Sequence, residues 1–209
     1  MAQGDTSISI CNQALLLLGD ESISSFDDGT AGSQACSIVY DMVKNSTLGI
    51  FSWSFTVAKV ELARSTNTPA SEWTYEYILP SDMLTGVPRA VRTSSAANAP
   101  LVRSFEINQS TGGLSVLMTN ETSIFIDYQK AVPEAQMPPY FITLMVYQLA
   151  WHLAEVITDQ TTKSQYWRGI ALGSPAENFR GGWLRQAMSM DSSGTPPSVI
   201  SDYLLTDIR

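Results

Sequence analysis

His152 is the only histidine of the chain, and any Ser–His–acid catalysis would have to run through it. It stands beside Trp151 within Tyr140 to Ala154, a stretch with no Asp, Glu, Lys or Arg. No Gly-x-Ser-x-Gly elbow presents a nucleophile, and neither a His-Glu-x-x-His zinc pattern nor a phosphate-cradling P-loop occurs. The pairs Asp20–Glu21 and Asp27–Asp28 have the residue types for general acid–base work or Mg²⁺ binding. Both fall in one loop rich in Ser and Gly, so solvated surface charge is the favoured reading. Trp73, Tyr75 and Tyr77 could stack nucleic-acid bases, but Glu72 and Glu76 surround them where cations would be needed, and a β core is preferred. Cys11 and Cys36 are too few for a disulfide framework and lack metal-ligand spacing; both read as small core residues on helices. The inventory points away from an enzyme and calls for no cofactor and no metal.

The charge balance excludes further classes. Twenty acids stand against twelve bases, a net charge of -8, and residues 1–50 alone hold six acids against Lys44. Such a surface repels phosphate backbones, and no Lys/Arg cluster supplies a nucleic-acid footprint. The 15% of charged residues lies well below the roughly 25% usual for soluble domains. A charge-poor surface meets other subunits readily, although Ser and Thr also account for part of it here. The only apolar run near the start, Leu15 to Leu18, is short and preceded by Asp5 with no base, unlike a secretion signal.

These residues need elements to hold them. Ile8, Cys11, Leu15 and Leu18 recur at helical steps, predicting a helix over about 6–18 stopped by Gly19. A second helix starts near Thr30, shows Ala35, Ile38, Val39, Met42 and Val43, and ends by Gly49. The short loop between them makes an αα-hairpin. Phe51, Trp53, Phe55 and Val57 then alternate as a strand does, with a bulge expected near Ala58–Lys59. Trp73–Tyr77, Val87–Val91, Phe105–Ile107, Leu114–Met118 and Ile124–Tyr128 complete five or six short antiparallel strands, with a hairpin turn at 110–113. Helix returns at Met137, where Pro138 and Pro139 suit a helix start. Large apolar side chains then point in every direction through Val156. A helix apolar all round is either buried on every side or membrane-spanning. The uncharged run falls short of the roughly 20 residues a bilayer needs and has no basic flank, so no membrane is expected. Its outward residues, Phe141, Met145, Leu149, Trp151 and His152, are assigned to contact with a neighbouring subunit. A helix over about 161–172 follows. Ser174, Pro175 and Glu177 read as a capping-box start of a last helix reaching Met190, weakened in its middle by Gly181–Gly182 at roughly 1 kcal/mol per glycine. Residues 191–198 read as a linker. Beyond it Val199, Ile200, Tyr203, Leu204, Leu205 and Ile208 suggest a docking peptide that orders on a partner, the competing outcome being a tail folded back on its own body.

The fold class is therefore α+β: an antiparallel helical bundle (1–50 and 131–190), an inserted small antiparallel β domain (51–130), and an extended C-terminal tail (191–209). A β-domain module that binds a peptide or glycan around Trp73–Tyr77 is the competing functional class.

The order of several motifs resembles the tail tubular protein A family, the head-to-tail adaptors of tailed bacteriophages. Cys11-Asn12-Gln13-Ala14-Leu15, Leu18-Gly19, Ala35-Cys36, Tyr40-Asp41 and Trp53-Ser54-Phe55 resemble its opening. Trp73-Thr74-Tyr75-Glu76-Tyr77-Ile78-Leu79-Pro80-Ser81-Asp82 looks like its aromatic strand. Pro138 to Ile157, with Phe141, Leu149-Ala150 and Leu153-Ala154, is similar to its central helix. The likeness spans about residues 8–160; Pro175 and Gly181–Gly182 depart from it, because they interrupt what the family would have as a continuous helix. What it implies is a virion protein assembled in the host cytoplasm: a ring, a dodecamer, below the portal, with the tail or nozzle beneath and DNA passing through without specific binding. In that picture Tyr203, Leu204, Leu205 and Ile208 dock on the portal, and the Glu21, Asp27, Asp28 loop lines the channel.

Overall fold

The computed structural model describes residues 5–69, 71–96, 99–110 and 113–194. Among them the chain is α+β, with five α-helices and two three-stranded antiparallel sheets. The helices are α1 (Ser7–Leu18), α2 (Ala31–Ile50), α3 (Pro139–Thr158), α4 (Thr161–Leu172) and α5 (Gly182–Ser193). The strands are β1 (Val57–Glu61), β2 (Tyr75–Ile78), β3 (Ala90–Arg92), β4 (Phe105–Gln109), β5 (Ser115–Thr119) and β6 (Phe125–Gln129).

Local chemistry accounts for the first two helices. Thr6 caps α1 by accepting from Ser9 N–H while Ser9 Oγ accepts from Thr6 N–H. Gly19, at φ 83°, takes the left-handed turn that ends it. Thr30 caps α2, its side chain accepting from Ser33 N–H at 3.1 Å while Ser33 Oγ donates to the Thr30 carbonyl at 2.9 Å. The loop between them is pinned by Asn12, whose side chain donates to the Ile23 carbonyl at 2.9 Å and accepts from Ile23 N–H at 2.8 Å.

α3 is the axis of the helical core and touches α1, α2, α4 and α5. It is long and apolar enough to cross a membrane by length and composition, yet more than half of it is buried inside the fold. On one side lie Ile10, Cys11, Ala14, Leu15, Ala35, Cys36 and Val43 of α1 and α2. On the other, Tyr147 stacks on Trp167 of α4 at 5.8 Å and meets Trp183 of α5 edge-on at 6.0 Å. This corrects the inter-subunit assignment for three residues of α3 but leaves its C-terminal end, with Val156 64% exposed, uncovered by the described residues. Phe141, Met145 and Leu149 are fully buried by their own chain, so they are not surface for a neighbour. Trp151 and His152 are half-buried.

The aromatic run before β1 is also corrected. Phe51, Trp53 and Phe55 do not form a strand. Ser54–Thr56 is a 3-10 turn, closed by Thr56 Oγ1 donating to the Trp53 carbonyl at 2.7 Å. The turn drives Trp53 and Phe55 against Phe141, each at 5.1 Å between ring centroids. Trp53 Nε1 donates to the Thr47 carbonyl at 3.0 Å. Alternation arose here because an extended entry and a tight turn both insert every second ring into the helical core. No bulge interrupts β1, which pairs with β6 in continuous register from Val57↔Gln129 to Glu61↔Phe125.

The sheets run β1-β6-β3 and β2-β5-β4, every pair antiparallel. Their inner faces share a second core, with Val91, Ile126 and Tyr128 from one sheet and Tyr77 and Leu117 from the other.

The C-terminal helix departs from expectation as well. Ser174 and Glu177 make their capping box, but the helix it opens is one 3-10 turn, Pro175–Glu177. Asn178 and Phe179 then take positive φ, and α5 begins at Gly182, so the glycine pair starts a helix and does not interrupt one. Asp191 is no linker residue. It is 6% exposed, and its carboxylate accepts from Ser54 N–H at 2.9 Å, Ser54 Oγ at 2.8 Å and Tyr140 Oη at 2.6 Å. The tail residues Val199, Ile200, Tyr203, Leu204, Leu205 and Ile208 lie outside the described residues.

Candidate interaction surfaces

His152 is half-buried near the C-terminal end of α3. Its ring lies against Trp151 at 4.1 Å between centroids. Among the described residues no carboxylate or hydroxyl bonds its imidazole. Burial lowers its pKa from the ordinary 6.5, disfavouring the charged ring. Beyond it Arg168 spans Trp151 and Phe179, at 5.3 Å and 3.9 Å from the ring centroids, a cation–π stack that joins α3, α4 and the turn after α4.

The acidic loop is ordered from within. Asp28 accepts from Ser24 N–H at 2.6 Å and Ser25 N–H at 3.0 Å. The Ser25 and then the Ser24 backbone donors hold its carboxyl below the ordinary 3.8. Glu21 and Asp27 are exposed, while Ile23 and Phe26 anchor the loop on the helical core. Cys11 and Cys36 are buried and free; the hydrogen bond between them, and burial, push the Cys11 thiol up. Among the described residues no group of three or more His, Cys, Asp or Glu side chains gathers as a metal site would need.

No family model matches this chain, and no curated protein matches it.

What the surface does offer is apolar. On α2, Ile38 and Met42 are 77% and 53% exposed, one turn apart on the same face. On α1, Leu16 is 75% exposed and Leu17 beside it is exposed too. Leu16 and Leu17 line a groove whose other wall is Thr143, Val146 and Tyr147 of α3; no α2 residue contributes to it. The helical periodicity of α2 placed Ile38 and Met42 with Ala35 and Val43 on one inward stripe. A strict count of the 3.6-residue period centres the inward face on Cys36 and Val43 and sets Ile38 and Met42 about 100° or more from both, with Ala35 at the margin.

The β region presents a polar cavity of about 540 Å³ on the outer face of β2-β5-β4, roofed by the chain around Asn67 and Ser71. Glu76 lines it and is only 7% exposed. The alternation of Tyr75 and Tyr77 about Glu76 was the signal that its side chain opposes the aromatic core.

Proposed function

We propose that the chain is a non-enzymatic structural subunit that assembles with its own copies into a ring, the head-to-tail adaptor between portal and tail or nozzle. The observation that carries the reading is the presence of two unlike apolar patches on the helical exterior. One is the Ile38–Met42 ridge of α2; the other is the Leu16–Leu17 groove beside α3. A ring needs a heterologous contact, one surface of a copy seated on a different surface of the next. A ridge and a groove, each apolar and neither covered by the described residues, supply such a pair. The interface moves accordingly from the inward residues of α3 to the outward residues of α1 and α2.

In this reading α1–α5 act as one antiparallel bundle with the β region inserted in it. The apolar C-terminal segment, Val199 to Ile208, docks on the portal. The exposed acids Glu21 and Asp27 face a channel that lets DNA slide without sticking. The motif residues behind the family resemblance hold structural posts that such a body requires. Asn12 pins the first loop, Trp53 seals the base of α3, and Asp82 accepts from Tyr128 Oη at 3.1 Å.

The test is imaging of the protein alone and with its cognate portal, by mass photometry and negative stain. Rings are expected in at least one condition. Ile38→Asp with Met42→Asp should abolish them while leaving thermal unfolding unchanged, since both side chains already face water. A chain that stays monomeric in both conditions sinks the ring; rings formed equally well by the double variant sink the ridge-and-groove contact.

A further inference from the structure

Strand alternation sends Tyr77, with Tyr75 at its edge, into the shared β core and turns Glu76 and Ile78 to the opposite face. Across that face the register sets Glu76, Met118 and Glu106 in one row. The preceding loop closes over them: Ser65 N–H donates to the Glu76 backbone carbonyl at 2.7 Å, and Ser71 Oγ reaches Met118 Sδ at 3.7 Å. Glu76 is thereby more than nine-tenths buried, and its carboxylate has no hydrogen-bond or ion-pair partner among the described residues.

The neighbouring groups are already engaged. Glu106 accepts from Trp73 Nε1 and from Asn108 Nδ2, each at 2.9 Å. Arg64, the one base lining this cavity or the adjoining one of about 320 Å³, lies over the Tyr75 ring at 3.9 Å. The Glu76 carboxylate oxygens still reach solvent through the cavity and accept from no described donor. A protonated nitrogen brought by a ligand would supply a charge-assisted hydrogen bond there. Beneath it Val116 and Met118 form an apolar floor that suits a methylene stem.

We propose that this cavity receives a lysine or arginine side chain of a partner protein, with Glu76 as its counter-ion. A glycan fits less well, since the lining holds no aromatic ring on which a sugar face could stack. Phosphate is disfavoured by the same carboxylate. The proposal does not rest on ring assembly and holds for a monomer equally.

The experiment is an NMR amide-shift titration of the full chain with N-acetyl-lysine methylamide and N-acetyl-arginine methylamide. N-acetyl-norleucine methylamide and maltotriose serve as uncharged and sugar probes. Saturable shifts centred on β2 and β5 are expected with the two cationic probes alone. Glu76→Gln should weaken them at least about tenfold, the scale of one lost charge-assisted hydrogen bond, and Glu106→Gln should not. Asn67→Trp, on the rim of both cavities, should block entry and provides a second variant if Glu76→Gln misfolds. No saturable shift, equal shifts in Glu76→Gln and Asn67→Trp, or a response to maltotriose instead overturns the proposal.

Discussion

At the scale of the residue, buried polar groups define how the chain is held. Lys44 Nζ and Tyr40 Oη both meet Glu134 Oε1, at 2.8 Å and 3.0 Å, tying α2 to the segment before α3. Burial pushes the Glu134 carboxyl up, but Lys44, a backbone donor and Tyr40 outweigh it and leave it below the ordinary 4.5. His152 has the opposite chemistry and a separate pH window. Its folded pKa is depressed below 6.5 by burial, so above 6.5 it is neutral in both states. As pH falls below 6.5 the unfolded chain takes a proton that the folded chain resists, and stability is lost. We expect the thermal midpoint of the wild type to fall between pH 7.5 and pH 5. His152→Gln should flatten that fall, while the loss carried by Glu134 appears only below about 4.5. An unchanged slope in His152→Gln would show that the imidazole is equally solvated in both states.

Elements show where sequence and structure part. The start of α2 and the stop of α1 were legible because they rest on local chemistry, Thr30 as a cap and Gly19 as the left-handed stop, whereas α2 runs through Gly49 to Ile50. The strands from β2 to β6 were legible from period and turns. What failed were positions decided by distant partners. Trp53 alternates with Phe55 as a strand would, yet Phe141, far along the chain, draws both into the helical core. Asp191 has a linker's composition, but Ser54 and Tyr140 bury it. Gly181 and Gly182 looked like weak points in a helix; the contacts explain them otherwise. At Gly182, φ is 54°, and an added Cβ would lie 2.5 Å from the Ile170 carbonyl oxygen and 2.7 Å from Gly173 N. We therefore predict that Gly182→Ala destabilises the chain by about 1–3 kcal/mol, seen in chemical denaturation. A neutral result would mean that the turn between α4 and α5 can be rebuilt without cost.

At the scale of the molecule, the surface rather than the core bears on assembly. The helical core closes on itself around α3, so nothing inside calls for a second chain. The proposed contact residues Ile38, Met42, Leu16 and Leu17 lie on its exterior, on a chain of net charge -8. Like-charged copies repel, and salt screens that repulsion over about 8 Å at physiological ionic strength. Self-association through apolar patches should therefore rise between roughly 20 mM and 150 mM NaCl in sedimentation velocity, as the Debye length shortens. A decline over that range would point to opposite-charge contacts as the driving term instead.

The β region leaves the helices at one point and returns to them beside it. Val57 pairs with Gln129, Lys130 N–H donates to the Thr56 carbonyl at 3.0 Å, and Gln129 Nε2 bonds the Phe51 carbonyl at 2.9 Å. Entry and exit are therefore a single stitched seam, about 5 Å wide by the geometry of antiparallel neighbours. Beside this seam Leu84 packs on the helical core and Ala131 N–H donates to the Asp82 carbonyl at 3.2 Å, so the β region also rests on the scaffold. The β head is thus braced on its helical scaffold as well as threaded into it.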